Sequence, residues 1–219
     1  MSLFLTGTDT GVGKTFTAVA LLRFLRAQGV RCAGFKPICC GDRQDAEMLL
    51  AASSDGLTID EVNPVWLKTP AAPWPAAMEE GVTIESSRLL VGLADLQERF
   101  DFVLVEGVGG WLVPIGPQYF VSDLAVEMGL PVMVVAMNRL GCLNHTLLTV
   151  RSVVASGLSC RGVVLNSLEQ TPDVALGTNR DVLEKTAGVP ILSGLLSDLD
   201  ALPDVWLAAL GVSRDRDSR

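Results

Sequence analysis

Histidine is almost missing from this chain: His145 is the only one in 219 residues, and the five cysteines (Cys32, Cys39, Cys40, Cys142, Cys160) show no C-x-x-C spacing. With neither a histidine cluster nor paired cysteines, free thiols rather than structural zinc are expected. Positive charge is also scarce, with 17 Lys and Arg against 25 Asp and Glu, a net charge of −8 and a pI near 4.6. An extended nucleic-acid footprint needs a basic face, so none is expected, and cationic groups should be local. No apolar run reaches the ~20 residues that cross a bilayer, so no membrane partner is expected. Met1 leads straight into an apolar strand without a basic region and cleavage site, which predicts a cytoplasmic location. Internal repeats and low-complexity segments are absent as well.

What the chain has is apolar mass: 49% hydrophobic residues and a mean hydropathy of +0.39. This predicts a buried, mainly parallel sheet in a single α/β domain over 1–212, with a charged tail at 213–219 expected to be disordered.

The most informative stretch is Gly7-Thr8-Asp9-Thr10-Gly11-Val12-Gly13-Lys14-Thr15, set between the apolar run Leu3-Phe4-Leu5 and a segment with Ala18, Leu21, Leu22 and Leu25 at helical spacing. It reads as strand, glycine-rich loop and helix. A polyphosphate needs converging backbone N–H groups, and glycines let the main chain approach it. Lys14 adds a point charge for the β- and γ-phosphates, Thr15 a hydroxyl for Mg²⁺, and the helix start favours an anion. Five residues separate Gly7 from Gly13-Lys14, one more than usual, and Thr8 holds the customary glycine position. A glycine-rich turn that binds nothing is the plain alternative.

A strand around Arg31–Phe35 ends at Lys36-Pro37, placing Lys36 at the carboxyl edge of the sheet beside the loop. Asp45 opens the next short helix, either as an N-terminal cap or as a metal ligand. Ser53–Ala77, with four prolines, reads as a long irregular excursion that covers the substrate. An amphipathic helix follows over Ile84–Glu98. The buried run Phe102–Val105 ends in Glu106, a strand-end acid suited to Mg²⁺ or to a structural ion pair, and Gly107–Trp111 reads as a loop. Gly141, Cys142, Leu143 and Asn144 begin a helix suited to a small carboxylate, with His145 in its first turn as polar surface rather than general base. Strand Gly162–Leu165 ends at Asn166, whose amide suits a base edge or caps the turn.

Taken together, GTDTGVGKT, GFKP, VEGVGGW and LGCLNHTLLT resemble dethiobiotin synthetase, in order and over nearly the whole chain. The resemblance implies a P-loop NTPase fold, a three-layer α/β architecture with helices on both faces. It implies a ligase of biotin biosynthesis that carbamates 7,8-diaminopelargonate with CO₂, activates the carbamate with ATP and closes a ureido ring. It assigns Thr10, Gly11, Val12, Gly13, Lys14, Thr15, Glu106 and Asn166 to the nucleotide, and Thr15, Asp45 and Glu106 to Mg²⁺. Lys14 and Lys36 would stabilise charge without acting as bases. Thr10, Lys36, Cys40, Gly109 and Gly110 would meet the diamine or its carbamate. Its carboxylate would rest on Gly141–Asn144 of a second subunit, so a homodimer is implied. Cys40 and Cys142 stand where that family commonly has hydroxyl residues, and Gly194–Ser197 lacks its usual proline.

Two alternatives share parts of this reading. A deviant-loop ATPase switch has the same fold and works through protein partners and membranes, but carries a lysine where this chain has Thr8 and often ends in a basic amphipathic helix. An amide-forming synthetase would bring a glutaminase region for which 219 residues leave little room.

Overall fold

A computed structural model describes residues 1–167, 174–192 and 204–211. The chain begins β1 (Ser2–Gly7), α1 (Lys14–Ala27), β2 (Cys32–Phe35), β3 (Ile38–Cys40), α2 (Gln44–Ala52), α3 (Ile59–Val62), β4 (Val65–Leu67), α4 (Pro73–Glu80) and α5 (Ser86–Arg99). It continues with β5 (Phe102–Gly110), β6 (Pro114–Gly116), β7 (Tyr119–Phe120), α6 (Val121–Met128), β8 (Val132–Met137), α7 (Cys142–Ala155), β9 (Cys160–Asn166), α8 (Val174–Thr186), β10 (Ile191–Leu192) and α9 (Asp204–Leu210).

Six strands form the central sheet in the order β10-β9-β8-β1-β5-β2, every neighbouring pair parallel. Alternation along β1 shows why both faces are covered. Leu3 and Leu5 enter one apolar cluster with α1, α2 and α9, whereas Phe4 enters the other with α5, α6 and α7. A strand buried on both sides has no polar face to show, hence its continuous apolar run. Fully burying a side chain such as Phe4 contributes about 1.5–3 kcal/mol, and repeated across the six strands this makes the sheet a stiff platform. All loops that build the site leave its carboxyl edge.

Two expectations are corrected. Ser53–Ala77 is not irregular: it holds α3, β4 and the start of α4. Pro73 and Pro75 fall in the first turn of α4, where a missing N–H costs nothing and the fixed φ suits a helix. Strand β4 pairs in parallel with β3, Ile38 beside Val65 and Cys40 beside Leu67, and three residues are too few for alternation to reveal a strand. Gly107–Gly110 is not a loop either, because β5 continues through it and Gly110 pairs with Gly7. The Gly194–Ser197 segment and the 213–219 tail lie outside the described residues.

Candidate active site

The glycine-rich loop is shaped by what it excludes. At Gly7 a Cβ would lie 2.8 Å from the Asp9 carbonyl and 3.0 Å from Lys14 Nζ. Gly13 caps α1 in the left-handed conformation, φ 90°, and a Cβ there would stand 2.6 Å from Asn166 Nδ2. A side chain at Gly7 would displace the loop, and one at Gly13 would strain the left-handed backbone and push Asn166 aside. Lys14, buried, folds back over the turn and donates to Asp9 O at 3.0 Å. Burial, then the neighbouring charge of Lys36, lowers its pKa to about 8. From behind, Asn166 donates to Val12 O at 2.9 Å, so its amide nitrogen supports the loop.

Opposite the loop, Lys36 leaves the end of β2, only 3% exposed. Its ammonium donates to Glu106 Oε1 at 2.6 Å and Asp45 Oδ2 at 3.0 Å. Burial alone would lower the Lys36 pKa; the two carboxylates outweigh it and raise the pKa well above the ordinary lysine value. Burial likewise opposes ionisation of Asp45, but Lys36 and the Thr15 hydroxyl hold its pKa below the usual value. Asp45 sits at the second position of α2 and is no cap: its side chain turns to Thr15 and Lys36.

The Thr15 hydroxyl is 2.8 Å from Asp45 Oδ1 and 2.9 Å from Glu106 Oε1. Its one proton serves only one of them at a time. Glu106 is completely buried, and its Oε2 is without a hydrogen-bond partner. Such an orphaned carboxylate oxygen is costly unless a ligand satisfies it. A hydroxyl and two carboxylates are hard oxygen donors of the kind Mg²⁺ takes, with phosphate and water oxygens completing an octahedron. Among the described residues no group of three or more His, Cys, Asp and Glu could hold a metal ion.

These groups line one cavity of about 690 Å³. It gathers Thr10, Gly11, Gly13, Lys14, Thr15, Lys36, Cys40, Asp45, Glu106 and Gly109. Val12, Gly110, Asn166 and the Gly141–Asn144 start of α7 are not on its wall. Cys142 in particular points its thiol into the core and donates its N–H to Arg139 O at 3.1 Å. The five thiols are free, as expected; burial pushes that of Cys40 up to about 11, leaving a neutral, weak donor at the cavity edge. Sequence reading missed Phe16, Asp42, Gln44 and Val113; Pro70–Pro73, part of the stretch read as a cover over the substrate, does line the cavity.

Comparison with known proteins decides the family. The profile of the family described as "AAA domain" matches residues 1–204. The ATP-dependent dethiobiotin synthetase BioD of Akkermansia muciniphila is 42% identical over 210 residues, 95% of this chain and 99% of that one. The chain belongs to the dethiobiotin synthetase family. A second family member, from Aromatoleum aromaticum, is 43% identical over 197 residues, 86% of this chain and 87% of its own. Solved structures show the fold alone. The signal recognition particle receptor FtsY of Elizabethkingia anophelis matches with TM-score 0.55 at 14% identity, over 95% of this chain and 63% of that one. The cell division ATPase MinD of Pyrococcus furiosus matches with TM-score 0.53 at 18% identity, over 87% and 81%. The chain thus shares its fold with these two proteins. Among the described residues no helix is long and apolar enough to cross a membrane.

Proposed function

We propose that the chain is an ATP- and Mg²⁺-dependent ligase of biotin biosynthesis that converts 7,8-diaminopelargonate and CO₂ to dethiobiotin, releasing ADP and phosphate. The observation that carries this reading is the convergence of Lys14, Thr15, Lys36, Asp45 and Glu106 on one cavity, in a chain 42% identical to a dethiobiotin synthetase over nearly its full length.

One amine of the diamine adds to CO₂ and loses a proton, giving a carbamate whose negative oxygen needs a fixed cation. Lys36 supplies it: kept charged by its carboxylate neighbours, it acts as an electrostatic anchor and not as a base. The carbamate oxygen attacks the γ-phosphorus in line, forming a carbamic-phosphoric anhydride as ADP departs, with Lys14 and the loop amides taking up charge on the transferred group. The second amine then attacks the carbamoyl carbon, phosphate leaves, and a proton is lost as the ring closes. Thr15, Asp45 and Glu106 would hold Mg²⁺, which would supply positive charge to offset that of the phosphates.

Thr10 and Gly109 line the cavity next to the loop and are assigned to the diamine end. Gly110 follows on the same strand. The start of α7 is assigned to the substrate carboxylate of a neighbouring subunit; it lies off this chain's own cavity, and the exposed Leu140 and Leu148 beside it suit a homodimer contact.

Release of ADP from the purified protein tests the reading. It should require both the diamine and bicarbonate. Turnover indifferent to the diamine but stimulated by another protein or by lipid would overturn it in favour of a switch ATPase.

A further inference from the structure

The groups that hold Lys36 in place lie in the 53–77 segment, away from the catalytic wall. Lys36 precedes Pro37, so its backbone is confined to extended conformations and the chain turns from the central sheet into β3 at that point. The turn leaves the Lys36 carbonyl buried. Asn63, itself 1% exposed, satisfies it: Nδ2 donates to Lys36 O at 2.8 Å and to Val65 O at 2.9 Å. The Lys36 N–H in turn donates to Val62 O at 2.7 Å. Both main-chain groups of Lys36 are therefore held by residues 62–63.

Asn63 is itself held. Arg43 donates from Nε to Asn63 Oδ1 at 2.9 Å and from Nη2 to Asn63 O at 2.7 Å. The same guanidinium reaches Asp60 at 2.7 Å and lies 5.3 Å from the centre of the Trp66 ring. Arg43 is the cap residue of α2, two positions before Asp45. One planar fork thus joins the amide that fixes Lys36 to the helix start that presents Asp45.

We propose that Asn63 and Arg43 are positioning residues that set the Lys36 ammonium against Asp45 and Glu106, and so decide where it meets the carbamate. This rests on the role given to Lys36 above. Neither residue lines the cavity, so neither touches substrate. Their effect runs entirely through the main chain at 36 and 43, where a misplacement near 1 Å is enough to cost on the order of 10²-fold in turnover.

A double-mutant cycle tests this in the full-length protein. Asn63→Ala should lower kcat by about 10–100-fold while KM for ATP stays within about threefold. In a Lys36→Gln background the same substitution should cost less than about threefold, because its target is gone. Arg43→Met should behave like Asn63→Ala, and Arg43→Lys should fall between it and the wild type, keeping the charge without the fork. Labelling of Lys36 by trinitrobenzenesulfonate, followed by mass spectrometry of its peptide, should be about tenfold faster in Asn63→Ala as the ion pair loosens.

An equal loss of kcat in both backgrounds, or unchanged Lys36 labelling in a folded variant, overturns the proposal. If Asn63→Ala does not fold, the two Arg43 variants decide by the same measurements. If the wild type shows no diamine-dependent turnover, the functional reading falls and the labelling result alone decides the clamp.

Discussion

The two walls of the cavity are built in opposite ways. On one side, Gly7 to Thr15 is contiguous chain between a strand and a helix, and its shape comes from Gly7, where a Cβ would collide with the loop, and from Gly11 and Gly13, which hold left-handed backbone. On the other, Lys36, Asp45 and Glu106 arrive from three separate segments and are fixed by ion pairs, with Asn63 holding the Lys36 main chain from behind the wall. The first wall is set by local sterics and has little freedom to vary. The second is set by charge, and each member depends on the others: removing one leaves a buried partner uncompensated, which costs more than the pair contributes.

If this contrast holds, the largest effect comes from the charge closest to the transferred group. Lys14→Met should reduce turnover by about 10³-fold and weaken ATP binding, measured by steady-state kinetics and calorimetry. Lys36→Gln should lose about 10²-fold in kcat yet bind Mg-nucleotide almost normally; near-normal turnover would remove the role assigned to it and with it the distinction between the walls.

A pH titration separates the two lysines. With a Lys14 pKa of about 8 in the free protein, about nine-tenths of its ammonium survives at pH 7 and about a tenth at pH 9. A bound phosphate favours the charged form and raises that pKa, so ATP affinity should fall up to about tenfold as pH rises from 7 to 9. In Lys14→Met that slope should disappear. Lys36 stays protonated throughout this window because its pKa is shifted upward, so it adds no slope of its own. The smallest effect belongs to Cys40→Ser. A neutral thiol at the cavity edge is a weak donor, and a hydroxyl in its place should change KM for the diamine by about threefold or less.

The first wall was legible in sequence because its physics is local. Strand, glycine loop, Lys14 and Thr15 follow one another, and each residue type states its own reason. Lys36 and Glu106 were legible too, as charges that close the apolar runs of two strands, although β5 itself continues past Glu106 to Gly110. Asp45 was readable as a helix-start acid, yet whether it capped the helix or faced a metal depended on Thr15, thirty positions away. Asn63 and Arg43 gave no signal, since a buried amide inside a proline-rich stretch resembles ordinary loop chemistry until its partners are known.

Composition and periodicity by themselves determined a single α/β domain with a parallel sheet, a phosphate loop at its first turn and an excess of acidic over basic residues. These depend on residues close in sequence or on bulk content, so tertiary contacts do not alter them. Only the tertiary structure decided that Lys36 lies between two carboxylates, that Glu106 keeps an unpaired oxygen, and that 53–77 is an ordered support. Those facts come from contacts between segments up to 91 positions apart, formed when the sheet brings its carboxyl edges together.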